Sequence, residues 1–279
     1  MRLVVQSPAL HSIHLLSLSQ LCYGGTFIPI ARDAYYLPVN QKPLVEVGNY
    51  CAQHAIDYAF VPDEQMLTNF GLVVMDMDST LISIECIDEI ADMCNLKPQV
   101  AAITESAMRG EIEFAESLRQ RVALLAGLDE SALQRVIDER LQLNPGAQQW
   151  IDACKQHGIT TMLVSGGFDF FAERVQAMTG LDYVQANSLE IINGKLTGRV
   201  LGHIVDAQAK ADFLVQLRDQ LGLKKEQVIA IGDGANDLKM MAAAGVGIAY
   251  RAKPIVQLQA TYALNYCGLD GVINLFTTI

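Results

Sequence analysis

Two aspartates, Asp76 and Asp78, follow directly after the apolar run 72–75 and precede Ser79 and Thr80. An uninterrupted apolar run of this kind is typical of a strand that is buried on both faces of a parallel sheet. Ligands of open α/β sheets bind at the carboxyl ends of the strands, so we expect both acids to lie at a site. Two carboxylates in one pocket repel each other unless a cation or a shared proton offsets the repulsion. The spacing therefore indicates a magnesium site in which one acid attacks the substrate and the other transfers protons.

The composition limits the classes of protein to which the chain can belong. With 279 residues and 51% hydrophobic residues, it can bury a large core, and its length favours about two domains. A net charge of -11 argues against a nucleic-acid surface, which would need a basic face. The N-terminus lacks a secretory leader, no apolar run is long enough to span a bilayer, and the six cysteines form no CxxC motif. We therefore expect a cytoplasmic protein that binds neither nucleic acid nor membrane.

Residues 1–68 have the pattern of a separate small domain. Apolar periodicity and turn residues predict the order strand, helix, strand, strand, helix, strand, which is that of a ferredoxin-like sandwich. The predicted strands are 2–6, 26–31, 34–39 and 58–61, and the predicted helices are 9–22 and 44–54. The run Pro62-Asp63-Glu64 marks the expected boundary of this domain.

The rest of the chain alternates between strand and helix patterns, with one interruption. Residues 87–143 are almost entirely helical in pattern, which predicts a helical cap inserted after the first strand of the sheet. The catalytic core is expected to comprise residues 69–86 and 144–279. Within it, Asn193-Gly194 between two apolar segments predicts a β-hairpin. The predicted fold class is α/β, with a parallel Rossmann-like core, a helical cap and the small N-terminal α+β domain.

Three further motifs follow Asp76 and Asp78 in the chain. They are Ser165-Gly166-Gly167 after a predicted strand, Lys210 on a predicted helix, and the run 232–237, Gly-Asp-Gly-Ala-Asn-Asp, after another strand. Taken singly, the glycine motifs are compatible with plain turns and Lys210 with a solvated charge. Because the carboxyl ends of parallel strands lie at one edge of a sheet, we expect these motifs to lie at one site together with Asp76 and Asp78.

This order of motifs resembles the haloacid dehalogenase superfamily of aspartate-nucleophile phosphohydrolases, from about residue 72 to the C-terminus. Within the superfamily the chain is most similar to the phosphoserine phosphatases. The residues that carry the resemblance are DMDST at 76–80, Glu85, the segment from Ala107 through Phe114 to Arg121, VSGGF at 164–168 and GDGANDLKM at 232–240.

The resemblance implies a set of catalytic roles. Asp76 would attack phosphorus and form an aspartyl-phosphate, and Asp78 would protonate the leaving oxygen and then deprotonate the attacking water. Mg²⁺ would be held by the Asp76 carboxylate, the backbone carbonyl of Asp78 and the Asp233 carboxylate, since this ion prefers oxygen ligands. Thr80 would fix the loop, and Asp237 would orient Lys210 or the metal ligands.

The resemblance also implies how the substrate, O-phosphoserine, is bound. Glu85 would hold its ammonium group and Arg121 would clamp its carboxylate with two hydrogen bonds. Met108 and Phe114 would add apolar contacts from the cap. The phosphate would be bound by a group of four residues: Ser165, Gly166, Lys210 and Asn236.

Two alternatives remain open from the sequence. The same aspartyl-phosphate could be transferred to a small alcohol such as homoserine, and the residues do not distinguish water from an alcohol as the acceptor. The N-terminal domain resembles ACT-type amino-acid sensors, which often pair between subunits, so a homodimer and a sensing function are both candidates. Ser7-Pro8-Ala9 stands where such sensors often carry a glycine-containing ligand turn, which favours a role in assembly or stability.

Overall fold

The N-terminal part of the chain forms a four-stranded antiparallel sheet with two helices. A computed structural model describes residues 1–277, so the last two residues of the predicted core range lie outside the described part. The elements are β1 (Arg2–Gln6), α1 (Ser12–Leu21), β2 (Ile28–Ala31), β3 (Ala34–Pro38), α2 (Leu44–Gln53) and β4 (Asp57–Val61). The strand order is β2-β3-β1-β4. The predicted order of strands and helices in this part is therefore confirmed.

Both faces of the N-terminal sheet are covered. Leu3 and Val5 of β1 pack on one side with Leu18 of α1 and Val47 of α2. On the other side, Val4 belongs to the main apolar core of the chain, together with residues of the larger sheet. The alternation along β1 explains this arrangement, because successive side chains of a strand point to opposite faces. The N-terminal sheet is thus a middle layer between its own helices and the rest of the molecule.

Buried polar side chains join this sheet to the C-terminal segment. Arg2, which is 2% exposed, donates from Nη2 to the carbonyl of Leu275 at 3.1 Å. Gln6 donates to the carbonyl of Gly271 at 3.0 Å. The carboxylate of Asp57, also 2% exposed, accepts three backbone N–H groups. These N–H groups belong to Asn265 (2.6 Å), Tyr266 (3.0 Å) and Cys267 (2.8 Å).

Replacing Asp57 by alanine should lower the free energy of unfolding by about 2–4 kcal/mol, because buried N–H groups would lose their acceptors. Chemical denaturation followed by circular dichroism measures this loss. Asp33→Ala is the matched control, because Asp33 is exposed in the turn between β2 and β3. The control should change the free energy by less than about 0.5 kcal/mol. Equal, small effects of both changes would contradict a docking role for Asp57.

The larger sheet has seven strands in the order β11-β10-β9-β5-β6-β7-β8. Its strands are β5 (Leu72–Met75), β6 (Thr160–Phe168), β7 (Tyr183–Ile192), β8 (Lys195–Leu201), β9 (Val228–Gly232), β10 (Val246–Tyr250) and β11 (Tyr262–Leu264). All neighbouring pairs are parallel except β7 and β8. The four helices that follow β5 are α3 (Cys86–Met93), α4 (Lys97–Met108), α5 (Phe114–Ala123) and α6 (Ser131–Glu139). The remaining helices are α7 (Ala147–Gln156), α8 (Asp169–Thr179), α9 (Ala207–Gln220), α10 (Leu238–Ala243), α11 (Pro254–Gln257) and α12 (Gly271–Phe276).

The position of β5 in this sheet determines where ligands can bind. All four residues of β5 are fully buried, as the apolar run predicts. β5 lies between β6 and β9. After β5 the chain first adds strands to the sheet on the β6 side and later adds strands on the β9 side. Such a reversal of strand order opens a crevice at the carboxyl ends of the strands. The loops after β5, β6 and β9 therefore meet at one place.

The helices α3–α6 form the predicted helical insert between β5 and β6. The insert contacts the hairpin β7–β8 through backbone hydrogen bonds, including Gly127 N–H to Leu196 O at 2.8 Å. The hairpin turn is the predicted one, with Asn193 and Gly194 at φ angles of 52° and 74°. A turn of this type needs positive φ at both central residues, which Asn and Gly tolerate best. Among the described helices, none combines the length and apolar character that crossing a bilayer requires.

The structure differs from the sequence prediction at two strands. The motif Ser165-Gly166-Gly167 is not a turn after β6 but lies inside the strand, which continues to Phe168. The pairing of β6 with β7 shifts register between Val164 and Phe168, so the glycines form an irregular stretch that bends away from the ladder. The short strand β11 was not predicted, because three residues give too little periodicity.

Candidate active site

The loop after β5 brings Asp76 to the end of the strand. The Oδ1 atom of Asp76 accepts the N–H of Met77 at 2.8 Å, and it is 2.7 Å from Lys210 Nζ. The same lysine donates to Asp237 Oδ1 at 2.8 Å. Lys210 is 1% exposed, so it is a buried partner of two acids and not a solvated charge. Asp237 therefore contacts Lys210 directly, as its predicted role of orienting Lys210 or the metal ligands allows.

Three carboxylates converge beside Lys210. Oxygen atoms of Asp76, Asp233 and Asp237 all lie within 4.8 Å of one another. Burial raises the pKa of Asp76 well above its usual range, and the charge of Asp237 adds to this effect while Lys210 opposes it. Burial and Asp237 also raise the pKa of Asp233, to about 6. One ammonium group cannot neutralise three ionised carboxylates, so a further cation is needed if all three are to be ionised in this poorly solvated position.

The residues of this cluster fit a divalent metal ion. Carboxylate oxygens are the ligands that hard cations such as Mg²⁺ and Ca²⁺ prefer, and three ionised carboxylates favour a cation over a neutral ligand. Asp237 joins the cluster here, in addition to the predicted ligands Asp76 and Asp233. A bound cation would supply charge to offset the carboxylates and a phosphate group beside them.

The loops after β5 and β9 are linked directly. Thr80 Oγ1 donates to Asp233 Oδ1 at 3.0 Å, so Thr80 fixes its loop as predicted. A Cβ atom on Gly232 would lie 2.4 Å from Cγ of Asp237. Only glycine therefore leaves room for the Asp237 carboxylate at the end of β9.

Asp78 has a different environment from Asp76. Burial raises its pKa to about 7, and the nearby charge of Glu85 adds to the shift. A Cβ atom on Gly167 would lie 3.0 Å from Asp78 Oδ2, so the glycine of β6 allows this carboxyl group to approach. Within residues 1–277, Asp78 Oδ1 is buried without a hydrogen-bond partner. A carboxyl group with a pKa near neutrality can both donate and accept a proton at neutral pH.

These loops enclose a cavity of about 130 Å³ under the helical insert. Its lining includes Asp76, Asp78, Asp233 and the predicted substrate-binding residues except Lys210 and Met108. Lys210 contacts Asp76 but does not line the cavity. The lining residues are Asp76, Asp78, Glu85, Ile87, Phe114, Leu118, Arg121, Ser165, Gly166, Gly167, Phe168, Asp233 and Asn236. The residues that sequence reasoning missed are the apolar ones, Ile87, Leu118 and Phe168, because their spacing is equally typical of core positions.

Two charged side chains, the acidic Glu85 directly before α3 and the basic Arg121 of α5, also line the cavity. Ser79 Oγ donates to Glu85 Oε1 at 2.6 Å. Arg121 is half-buried, and its only hydrogen bond within the described chain is a long one of 3.4 Å to the carbonyl of Ser117. Among residues 1–277, Arg121 forms no salt bridge. Met108, which the resemblance implies as an apolar contact, is 68% exposed and does not line the cavity.

A model of the haloacid dehalogenase-like hydrolase family matches residues 70–245. The chain belongs to the haloacid dehalogenase-like hydrolases. It is 56% identical to a phosphoserine phosphatase of Idiomarina loihiensis over 204 residues, which are 73% of this chain and 92% of the relative. It is 51% identical to a phosphoserine phosphatase of a Polaromonas species, over 75% of this chain and 91% of the relative.

The crystal structure of a probable phosphoserine phosphatase from Vibrio cholerae, in its unliganded form, is similar to this haloacid dehalogenase-like hydrolase over nearly its whole length. The TM-score is 0.87 at 38% identity, covering 99% of this chain and 86% of the other. The similarity therefore includes the N-terminal sheet as well as the hydrolase part.

Proposed function

We propose that this chain is a magnesium-dependent phosphatase that hydrolyses O-phosphoserine to serine and phosphate. The observation that carries the proposal is the cavity itself, whose lining combines Asp76, Asp78 and Asp233 with Glu85 and Arg121. A phosphate ester needs the first set of groups, and a free amino acid needs the second. The relatives from Idiomarina and Polaromonas, both phosphoserine phosphatases, support the same substrate.

Size and charge favour a phosphorylated amino acid over larger phosphate esters. The cavity of about 130 Å³ is small beside the pockets of about 300–1,000 Å³ that bind drug-sized ligands. Arg121 has no carboxylate partner in the described chain, so a ligand carboxylate can take its two-pronged hydrogen bonds. The carboxylate of Glu85 is suited to an ammonium group. Sugars and nucleotides offer neither group to these side chains.

The hydrogen bonds of Asp76 support one of its two carboxylate oxygens as the atom that would attack phosphorus. Lys210 and the Met77 N–H both bind Oδ1, and within the described residues no donor binds Oδ2. Oδ2 would therefore attack the phosphorus, the ester oxygen of serine would leave, and an aspartyl-phosphate would form. Asp78, protonated in part because of its raised pKa, would give its proton to the leaving oxygen. Water would then attack phosphorus after losing a proton to Asp78, which releases phosphate and restores Asp76.

The remaining residues would hold the phosphate while this happens. Ser165 and Gly166 line the cavity from β6, and Asn236 lines it from the loop after β9. Their hydroxyl, N–H and amide groups can donate to phosphate oxygens. Lys210 does not line the cavity, but through its contact with Asp76 it would offset the negative charge of this carboxylate and of the phosphate. Mg²⁺, bound by Asp76, Asp233 and the backbone carbonyl of Asp78, would supply the positive charge that phosphoryl transfer requires.

We also propose that the chain has three domains. Residues 1–68 would be a ferredoxin-like, ACT-like domain, residues 87–143 the cap, and residues 69–86 with 144–279 the catalytic core. The element order and strand order of the N-terminal sheet support the first assignment. Its docking through Arg2 and Asp57 supports a stabilising role for this domain.

A phosphate-release assay over phosphorylated amino acids, sugars and nucleotides, with Mg²⁺ present, tests the proposal. O-phosphoserine should be the preferred substrate, and excess chelator should abolish the activity. Adding small alcohols such as homoserine to the assay would show whether the phosphoryl group is transferred to them. Preference for a sugar phosphate or a nucleotide would contradict the proposal.

Arg121→Lys and Glu85→Gln should each raise KM for O-phosphoserine by about tenfold or more, because a charged partner of the substrate is lost or misplaced. Each variant should change the hydrolysis of ethyl phosphate, which has no ammonium or carboxylate, by less than about threefold. Steady-state kinetics on both esters measure this difference.

Arg119→Lys provides the control for Arg121→Lys. Arg119 lies on the same helix α5 but is exposed. Its replacement should leave KM for both esters unchanged. If Arg121→Lys impaired the hydrolysis of O-phosphoserine and of ethyl phosphate to the same extent, Arg121 would have a structural role only.

A further inference from the structure

Asn144 lies where the helical insert rejoins the larger sheet, and it is 5% exposed. Its side-chain Nδ2 donates to three backbone carbonyls: those of Ser79 (3.3 Å), Thr80 (2.8 Å) and Ile82 (3.0 Å). Its own backbone N–H donates to the carbonyl of Leu81 at 2.9 Å. Asn144 thus binds the carbonyls of four successive residues, 79–82, in the turn that follows Asp76 and Asp78.

This turn needs an external partner. Ser79 has a φ angle of +57°, which is left-handed backbone that a serine seldom adopts. Such a conformation persists only when surrounding contacts determine it. Ser79 N–H donates to the carbonyl of Ile84 at 3.2 Å, and the amide of Asn144 adds contacts from a residue that is distant in sequence.

Two side chains of the turn reach into the proposed site. Ser79 Oγ donates to Glu85 Oε1 at 2.6 Å, and Thr80 Oγ1 donates to Asp233 Oδ1 at 3.0 Å. Glu85 is the proposed ammonium partner and Asp233 a proposed metal ligand. A change in the backbone at these two positions would therefore move a substrate contact and a metal contact together.

The insert is connected to the sheet through the same turn. Its outgoing and returning chains pair at its base, with Ile82 opposite Leu143 and Ser83 N–H donating to Gln142 O at 2.9 Å. Asn144 is the next residue of the returning chain. Any displacement of the insert relative to the sheet therefore acts directly on Asn144.

We propose that Asn144 is a positioning residue that couples the base of the helical insert to the turn carrying Asp78, Ser79 and Thr80. The inference rests on the proposed phosphatase function and extends it to a residue that does not line the cavity. Asn144 acts through the carbonyls it binds, so its effect should depend on the donating amide and not on side-chain volume.

Asn144→Asp tests this directly, because the shape is kept while the donor is replaced by an oxygen that faces carbonyl oxygens. We expect kcat for O-phosphoserine to fall about 10–100-fold, as is usual when an outer hydrogen-bond partner of a site is removed. KM should rise more for O-phosphoserine than for ethyl phosphate, because Glu85 loses its fixed position. Asn144→Ser, which keeps one donor, should lie between the wild type and Asn144→Asp.

Asn274→Ala is the control, because Asn274 also donates from a half-buried amide, to Gln6 Oε1, but far from the cavity. It should lower the melting temperature without altering kcat or KM. Wild-type kcat and KM in a folded Asn144→Asp or Asn144→Ser would overturn the inference, whatever their melting temperatures. If the wild type prefers another phosphate ester, the proposed substrate is wrong, and kcat on that ester still tests Asn144.

Discussion

Asp76→Asn is expected to lower turnover of O-phosphoserine by more than about 10³-fold, because an amide does not attack phosphorus usefully. The change keeps the size of the side chain, and Lys210 can still bind the amide oxygen. Substrate binding should therefore survive, and equilibrium binding of O-phosphoserine to the variant should be measurable by calorimetry. Phosphate release under steady-state conditions measures the loss of turnover.

The matched control is Asp212→Asn, the same chemical change on helix α9. Asp212 is exposed and accepts a hydrogen bond from Gln208. Its replacement should leave turnover unchanged. Normal activity in Asp76→Asn, with the asparagine verified by mass spectrometry, would exclude Asp76 as the nucleophile.

Asp78→Asn is expected to lower turnover of O-phosphoserine by about 10²–10⁴-fold, because both proton transfers lose their carrier. The loss in the first step should depend on the leaving group. Serine leaves as a strongly basic alkoxide unless it is protonated, whereas acetate leaves acetyl phosphate without help. The aspartyl-phosphate should therefore form readily from acetyl phosphate in this variant and accumulate, since its hydrolysis still needs a base.

Rapid-quench measurement of the enzyme-bound phosphoryl group formed from each substrate tests the role of Asp78. A burst of bound phosphoryl group with acetyl phosphate, and no burst with O-phosphoserine, is the expected pattern. Equal losses on the two substrates in both steps would argue against proton transfer by Asp78 and would leave it a role in shaping the loop.

The parts of the site that the sequence predicts are those governed by local pattern. The apolar residues of β5 and β9 mark buried strands, and the polar residues just after them must lie at the carboxyl edge of the sheet. Asp76, Asp78 and Asp233 follow from this rule. The same reasoning placed Ser165 at the correct strand, although it did not predict that β6 continues through the two glycines.

Other parts depend on contacts between residues that are far apart in the chain. Asn144 is followed by Pro145 and Gly146, a pattern that indicates only the end of a helix, and its three carbonyl partners are visible only in the fold. Arg2 lies in a predicted strand and Asp57 directly before one, and for charged residues an exposed position is the usual expectation. Their burial depends on backbone groups near the C-terminus, which no local pattern identifies.

The most direct test of whether Asp76 is the nucleophile is to trap the aspartyl-phosphate on this residue. The wild-type enzyme and the Asp78→Asn variant are mixed with Mg²⁺ and O-phosphoserine carrying a radiolabelled phosphate, quenched in acid and digested, and the labelled peptide is sequenced by mass spectrometry. We expect a hydroxylamine-sensitive label on Asp76 in the wild type and little label in Asp78→Asn, which cannot protonate the leaving serine oxygen. Turnover of O-phosphoserine with no label on Asp76, or with label on another residue, would contradict it.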